Sequence, residues 1–149
     1  MEVSDLVPHA GSMCLLEGLA AWDAEGATLV TRSHASPANP LRRSGRLSAL
    51  CLCEYGAQAM AAHGALISRA SGREPAAGLL VSLREVQFFA TSVETLPDEL
   101  RVEVRRLEGG SGGLQYRFLV THAGRELARG RAAVIESRDG AQAPARQPA

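Results

Sequence analysis

The stretch from Leu47 to Ser68, LSALCLCEYGAQAMAAHGALIS, constrains the fold more than any other. It holds six alanines and two glycines, Gly56 and Gly64, and no proline. Alanine is the strongest helix former, and small side chains let a helix axis lie close to whatever covers it. The run predicts one long helix with a surface made for close packing. Glu54 interrupts it, between Cys53 and Tyr55, with Gln58 one turn on. Residues four apart share a helix face, so the two polar groups form an island on an apolar rod. A carboxylate there either points to water or is held inside for chemistry.

Around this helix the chain reads as strands. Met13 to Trp22 and Ala27 to Ser33, separated by the turn signal Asp23-Ala24-Glu25-Gly26, predict a β-hairpin. Residues His34 to Arg46 are a loop rich in proline that delivers the chain to the helix. Four strands are expected after the helix, over Gly78–Thr91, Glu99–Leu107, Leu114–Thr121 and Glu126–Glu136. The second alternates Leu100, Val102 and Val104 with charged residues. The third places Tyr116, Phe118 and Val120 on one face, and the fourth follows Leu127 with Ala133 and Ile135. In the first, Val86 and Phe88 share one face and Leu79, Val81 and Leu83 the other. Such alternation describes a sheet with one buried and one wet face. Gly109 to Gly113 and Ala123-Gly124 supply turns.

A chain of 149 residues suits one domain, here 1–137, with 138–149 a tail rich in Ala, Pro and Gln. Formal net charge is +0 and pI about 6.9, which argues against nucleic acid as the main partner. No run reaches the ~20 apolar residues of a membrane span. The start, MEVSD, lacks the features of a signal peptide, so a cytoplasmic protein is expected. The three cysteines are expected to be reduced thiols, and no cluster suggests a metal.

Strand hairpin, long small-residue helix and four-stranded run together resemble the α+β hot-dog fold, a curved antiparallel sheet wrapped around a central helix. Within it the chain is similar to the 3-hydroxyacyl-carrier-protein dehydratases over roughly residues 5–136. Leu6-Val7-Pro8-His9 followed by Met13-Cys14-Leu15-Leu16 resembles the family's N-terminal LPHR-x-P-hydrophobic segment. Glu54-Tyr55-Gly56-Ala57-Gln58 resembles its E-A-x-A-Q motif, and Gly78 through Phe88 the strand that follows. One element is missing. The family carries a histidine in a G-H-F-P-G loop fourteen residues before the helix carboxylate. Here that position is Pro40, and no histidine lies between 35 and 62. The LPH segment makes the chain more similar to the dehydratase-like proteins of aryl-polyene lipid pathways.

The resemblance implies removal of water from a 3-hydroxyacyl thioester, giving the trans-2-enoyl thioester. Glu54 would serve the hydroxyl. His9 is the expected base, with His34 in reserve; alternatively His9 fixes its own loop by bonding a carbonyl. Ala49 stands where relatives often place a glycine, five residues before the carboxylate, and its N–H is a candidate donor to the thioester oxygen; Leu50 and Gln58 would line the substrate. His63 and His122 are expected at the surface. Arg42, Arg43 and Arg46 are either a solvated basic loop or a dock for an acyl carrier protein. The partner would be that carrier or a coenzyme A thioester, whose phosphopantetheine arrives with the substrate, so no cofactor is expected. An open sheet edge and the family's habit of pairing sheets imply a homodimer. Two other functions remain open: a hot-dog thioesterase using Glu54 alone, and a non-catalytic acyl binder or inactive partner of an active dehydratase.

Overall fold

The computed structural model describes residues 3–7, 11–73, 77–107 and 114–137. The expected tail and the glycine turn at 109–113 lie outside the described residues, as does His9. Strands β1 (Gly18–Asp23) and β2 (Gly26–Thr31) form the hairpin, and helix α1 runs over Leu52–Ala70. Strands β3 (Ala77–Phe88), β4 (Leu100–Leu107), β5 (Leu114–His122) and β6 (Arg125–Ser137) follow. They build one six-stranded sheet in the order β1-β2-β4-β5-β6-β3, with every neighbouring pair antiparallel. The helix lies against β2, β3, β4 and β5. This is the curved sheet around a central helix that the sequence implies.

The start of the helix differs from expectation. Ser48 caps a 3-10 turn over Ala49–Cys51 by accepting the Leu50 N–H on its hydroxyl, and α1 proper begins only at Leu52. The side-chain cap satisfies an amide that the helix leaves unpaired. Inside, Leu52, Tyr55, Ala59, Ala62 and Leu66 of the helix meet Leu29, Leu100, Val102, Val104, Tyr116, Phe118 and Val120 of the sheet in one core. Full burial of each large apolar side chain contributes about 1.5–3 kcal/mol.

Two strands depart from simple alternation. On β6 the buried residues are Leu127, Ala128, Gly130 and Ala132, while Ile135 is exposed, because a register shift opposite Val120 and Thr121 resets the face. On β3 two further shifts, at Leu80/Ser82 and Arg84/Gln87, break the expected two-face pattern. Glu85 sits in the second with φ 53, Val86 and Phe88 face the core, and Leu83 is exposed. Bulges of this kind add a residue to one strand and strengthen local twist. The Ala123-Gly124 turn has positive φ at both residues, the geometry that two-residue hairpins favour.

Helix and sheet approach each other closely at Gly56. A Cβ there would lie 2.9 Å from Cγ of Phe118, whose ring edge would also meet a Cβ at Gly130 at 2.9 Å. Helix propensity alone makes Ala better than Gly by about 1 kcal/mol. Overpacking costs about 1–3 kcal/mol and opposes it. Gly56→Ala is therefore expected to destabilise the protein by up to about 2 kcal/mol, measured by urea unfolding. A gain in stability would show that the helix does not press on Phe118.

Candidate active site

Glu54 lies in the first turn of α1 and is half-buried. Gln58, fully buried one turn later, donates from Nε2 to Glu54 Oε2 at 3.2 Å. The same nitrogen donates to the Met13 carbonyl at 2.7 Å, and Oε1 accepts the Leu15 N–H at 2.9 Å. Gln58 thus clips the segment just downstream of His9 onto the helix beside Glu54. Met13 is four positions beyond His9, a reach of at most about 14 Å.

Next to the carboxylate, Tyr55 turns the other way into a polar network that sequence reasoning missed. Asn39 Nδ2 donates to Tyr55 Oη at 3.0 Å, and Tyr55 Oη and Ser33 Oγ are 2.8 Å apart. Ser33 Oγ donates to the Leu15 carbonyl at 2.7 Å, as does Thr31 Oγ1 at 2.6 Å. Asn39 also donates to the Ser33 carbonyl and accepts from the Leu41 N–H. Burial pushes the Tyr55 phenol above its ordinary pKa, so it stays neutral. The loop that would carry the histidine in related dehydratases is thereby held on the helix by Asn39, adjacent to Pro40. The available signal was a tyrosine between Glu54 and Gly56 in an alanine-rich run.

Several expected roles change. The Ala49 N–H donates to the Thr91 carbonyl at 2.9 Å. The N–H groups of Leu50, Cys51 and Leu52 are likewise engaged, within the capping turn. The helix start therefore offers no free amide over 49–52 as an oxyanion donor. Leu50 is 67% exposed. Arg42 is spent on its own loop, donating to the Gly45 and His34 carbonyls, while Arg43 donates to the Arg42 carbonyl and Arg46 is exposed.

The histidines also differ from expectation. His63 is not at the surface but fully buried, with Nδ1 accepting from Tyr116 Oη at 2.8 Å and Nε2 donating to the Asp23 carbonyl at 2.9 Å. His122 is buried too, because its Nε2 accepts the Asp98 N–H at 3.0 Å. His34 lies in a 3-10 turn beyond β2, buried, with Nε2 donating to the Leu96 carbonyl at 3.0 Å. Burial lowers the pKa of both His34 and His63. The unfolded chain then binds protons that the folded one refuses as pH falls below the ordinary histidine value of about 6.5. Stability is expected to decline from there down to the depressed folded values and to level off below them. A melting temperature that stays flat between pH 7 and about 5 would contradict this.

No cluster of metal-ligating side chains occurs among the described residues, and the described cysteines Cys14, Cys51 and Cys53 are unpaired thiols. No helix among the described residues is long and apolar enough to cross a membrane. The family model of the ApeP-like proteins, described as ApeP dehydratase, matches residues 1–145. The chain belongs to the ApeP-like dehydratase family. Among solved structures it is similar to the dehydratase heterocomplex ApeI:P from Xenorhabdus doucetiae, with a TM-score of 0.79, 19% identity and 91% of each chain covered. It is also similar to AziG of S. sahachiroi, at TM-score 0.61 and 17% identity, covering 88% of this chain and 97% of that one. A third likeness is to a hypothetical thioesterase with coenzyme A from Streptococcus pneumoniae TIGR4, at 0.59 and 11%, covering 79% and 83%. Comparison with curated proteins gave no match. These likenesses establish the hot-dog fold, and the family match makes this ApeP-like chain a dehydratase in the broad sense.

Proposed function

We propose that this ApeP-like protein removes water from a 3-hydroxyacyl thioester, delivered on the phosphopantetheine arm of an acyl carrier protein, to give the trans-2-enoyl thioester. The observation that carries the reading is the Gln58 clip. It fixes Glu54 and the chain downstream of His9 against each other through three hydrogen bonds. His9 takes the proton from the carbon beside the thioester carbonyl. The bond from the next carbon to its hydroxyl oxygen breaks, and Glu54 gives its proton to that oxygen, releasing water. Gln58 Nε2 then steadies the carboxylate left behind. Strand β3 ends the sheet with an open ladder and exposes Leu83, a surface suited to pairing with a second hot-dog chain. A homodimer satisfies this, as does a related dehydratase subunit. Arg43 and Arg46 remain available to the acidic carrier.

A second reading, a non-catalytic partner in a dehydratase pair, is favoured by one observation. Pro40 replaces the loop histidine, and His34, His63 and His122 all hold structural bonds. The likeness to a heterocomplex is compatible with it. The full chain should be offered a 3-hydroxyacyl carrier protein and followed by mass for loss of water. A saturated acyl thioester should then be followed for free thiol. Water loss supports the proposal, thiol release supports a thioesterase, and silence in both with ligand bound supports the partner role.

A further inference from the structure

The register of the sheet places arginines side by side across four adjacent strands. Arg105 of β4 is opposite Arg117 of β5, Arg117 is opposite Arg131 of β6, and Arg131 is opposite Arg84 of β3. Directly paired residues project from the same face, and here it is the outer one. Phe118, Gly130 and Ala132, which alternate with Arg117 and Arg131, are buried under the helix. Arg84, Arg105 and Arg117 are exposed. At the strand spacing of about 4.8 Å the row spans roughly 14 Å.

Like charges directly opposite one another destabilise a sheet, so four in a line need an explanation. Carboxylates relieve the repulsion only in part. Glu85 pairs with Arg131 at 3.5 Å while itself 67% exposed, and Asp23 lies near Arg105. Glu103 stands two residues along β4, in the adjacent row. Arg117, in the middle, has arginines on both sides and no ion pair among the described residues. Beside it a depression lined by Glu85, Gln87, Arg117, Arg129 and Arg131 opens on the same face.

We propose that this row docks a partner protein through an acidic helix laid across the strands. A helix that presents a carboxylate at every turn repeats them at about 5.4 Å, close to the spacing of the arginines. Guanidinium groups donate to carboxylates in bidentate fashion. A second copy of this chain packed face to face would set arginine against arginine. A flat lipid surface or a duplex would call for a broad basic field, but one flanking row, Leu107, Gln115, Ala133 and Ser82, carries no charge, and the other holds Glu103 as well as Arg129. The dock is independent of the chemistry at Glu54 and lies apart from the Arg42–Arg46 loop.

The test uses the full chain and a helical peptide bearing Glu at i, i+4, i+7 and i+11, with its Gln counterpart, followed by fluorescence anisotropy at low salt. The Glu peptide is expected to bind and the Gln peptide not. Arg117→Gln with Arg131→Gln should weaken binding about fivefold or more, while Arg73→Gln should not. Relief of repulsion should also raise the melting temperature of Arg117→Gln by about 1–4 °C. If Arg131→Gln disturbs the bulge through loss of Glu85, Arg84→Gln with Arg117→Gln gives the same readout. The proposal is overturned if the Glu peptide does not bind, if it binds the double variant unchanged, or if Arg117→Gln lowers the melting temperature. It is equally overturned if short duplex DNA, or vesicles of phosphatidylcholine and phosphatidylserine, bind more tightly through the same arginines.

Discussion

Glu54→Gln is expected to lower dehydration of 3-hydroxyacyl carrier protein by about 10²–10⁴-fold while leaving the fold intact. The substitution keeps shape, and its carbonyl oxygen can still accept from Gln58 Nε2, so the clip at Met13 and Leu15 survives. What disappears is the proton for the departing hydroxyl. The loss should appear in kcat, because proton transfer is made only in the transition state. Single-turnover mass analysis alongside a thermal melt separates the two effects. Should every acyl thioester turn over at the parent rate, the acid has no part in catalysis and the partner role gains.

Gln58→Leu should have the largest effect on stability at the site. Leucine matches the volume closely but provides none of the three hydrogen bonds. The Leu15 N–H and the Met13 carbonyl lose their partner, and an unsatisfied buried polar group costs about 1–3 kcal/mol. A total of roughly 2–5 kcal/mol is expected by urea unfolding, with lost activity as the N-terminal segment drifts from Glu54. Gln58→Glu separates the effects. It can still accept from Leu15, yet it sets a second carboxylate beside Glu54, and like charges raise the pKa of such a pair. Its activity profile should move to higher pH. Stability within about 0.5 kcal/mol of the parent for the leucine variant would remove the clip from the argument.

Much of this was legible in the chain. The helix followed from alanine content, β4 and β5 from strict alternation, and the Glu54–Gln58 contact from a spacing of four. His63 was not, and the reason is geometric. Nine residues from Glu54 it does project from the other side of the helix, but that side is no more open to water. The N-terminal segment covers Gln58, while β5 and the β1–β2 turn cover His63. A rod enclosed nearly all round has no wet face for periodicity to reveal. The Ala49 amide was misread because Thr91, 42 residues on, is brought to it only by the folded chain. The row of arginines escaped for a related reason. Each is an ordinary outward residue on its own strand, and only cross-strand register makes them neighbours.

The network from Asn39 through Tyr55 and Ser33 to Leu15 has a direction. It begins at an amide N–H, which gives up no proton near neutral pH, and ends at a peptide carbonyl, which takes none. Each hydroxyl between them has one hydrogen, and the bonds at either end dictate where it points. Such a chain braces the loop but cannot ferry protons, so Tyr55 is a strut beside the acid rather than its relay. Any proton Glu54 spends on a substrate must be regained by a route other than this network.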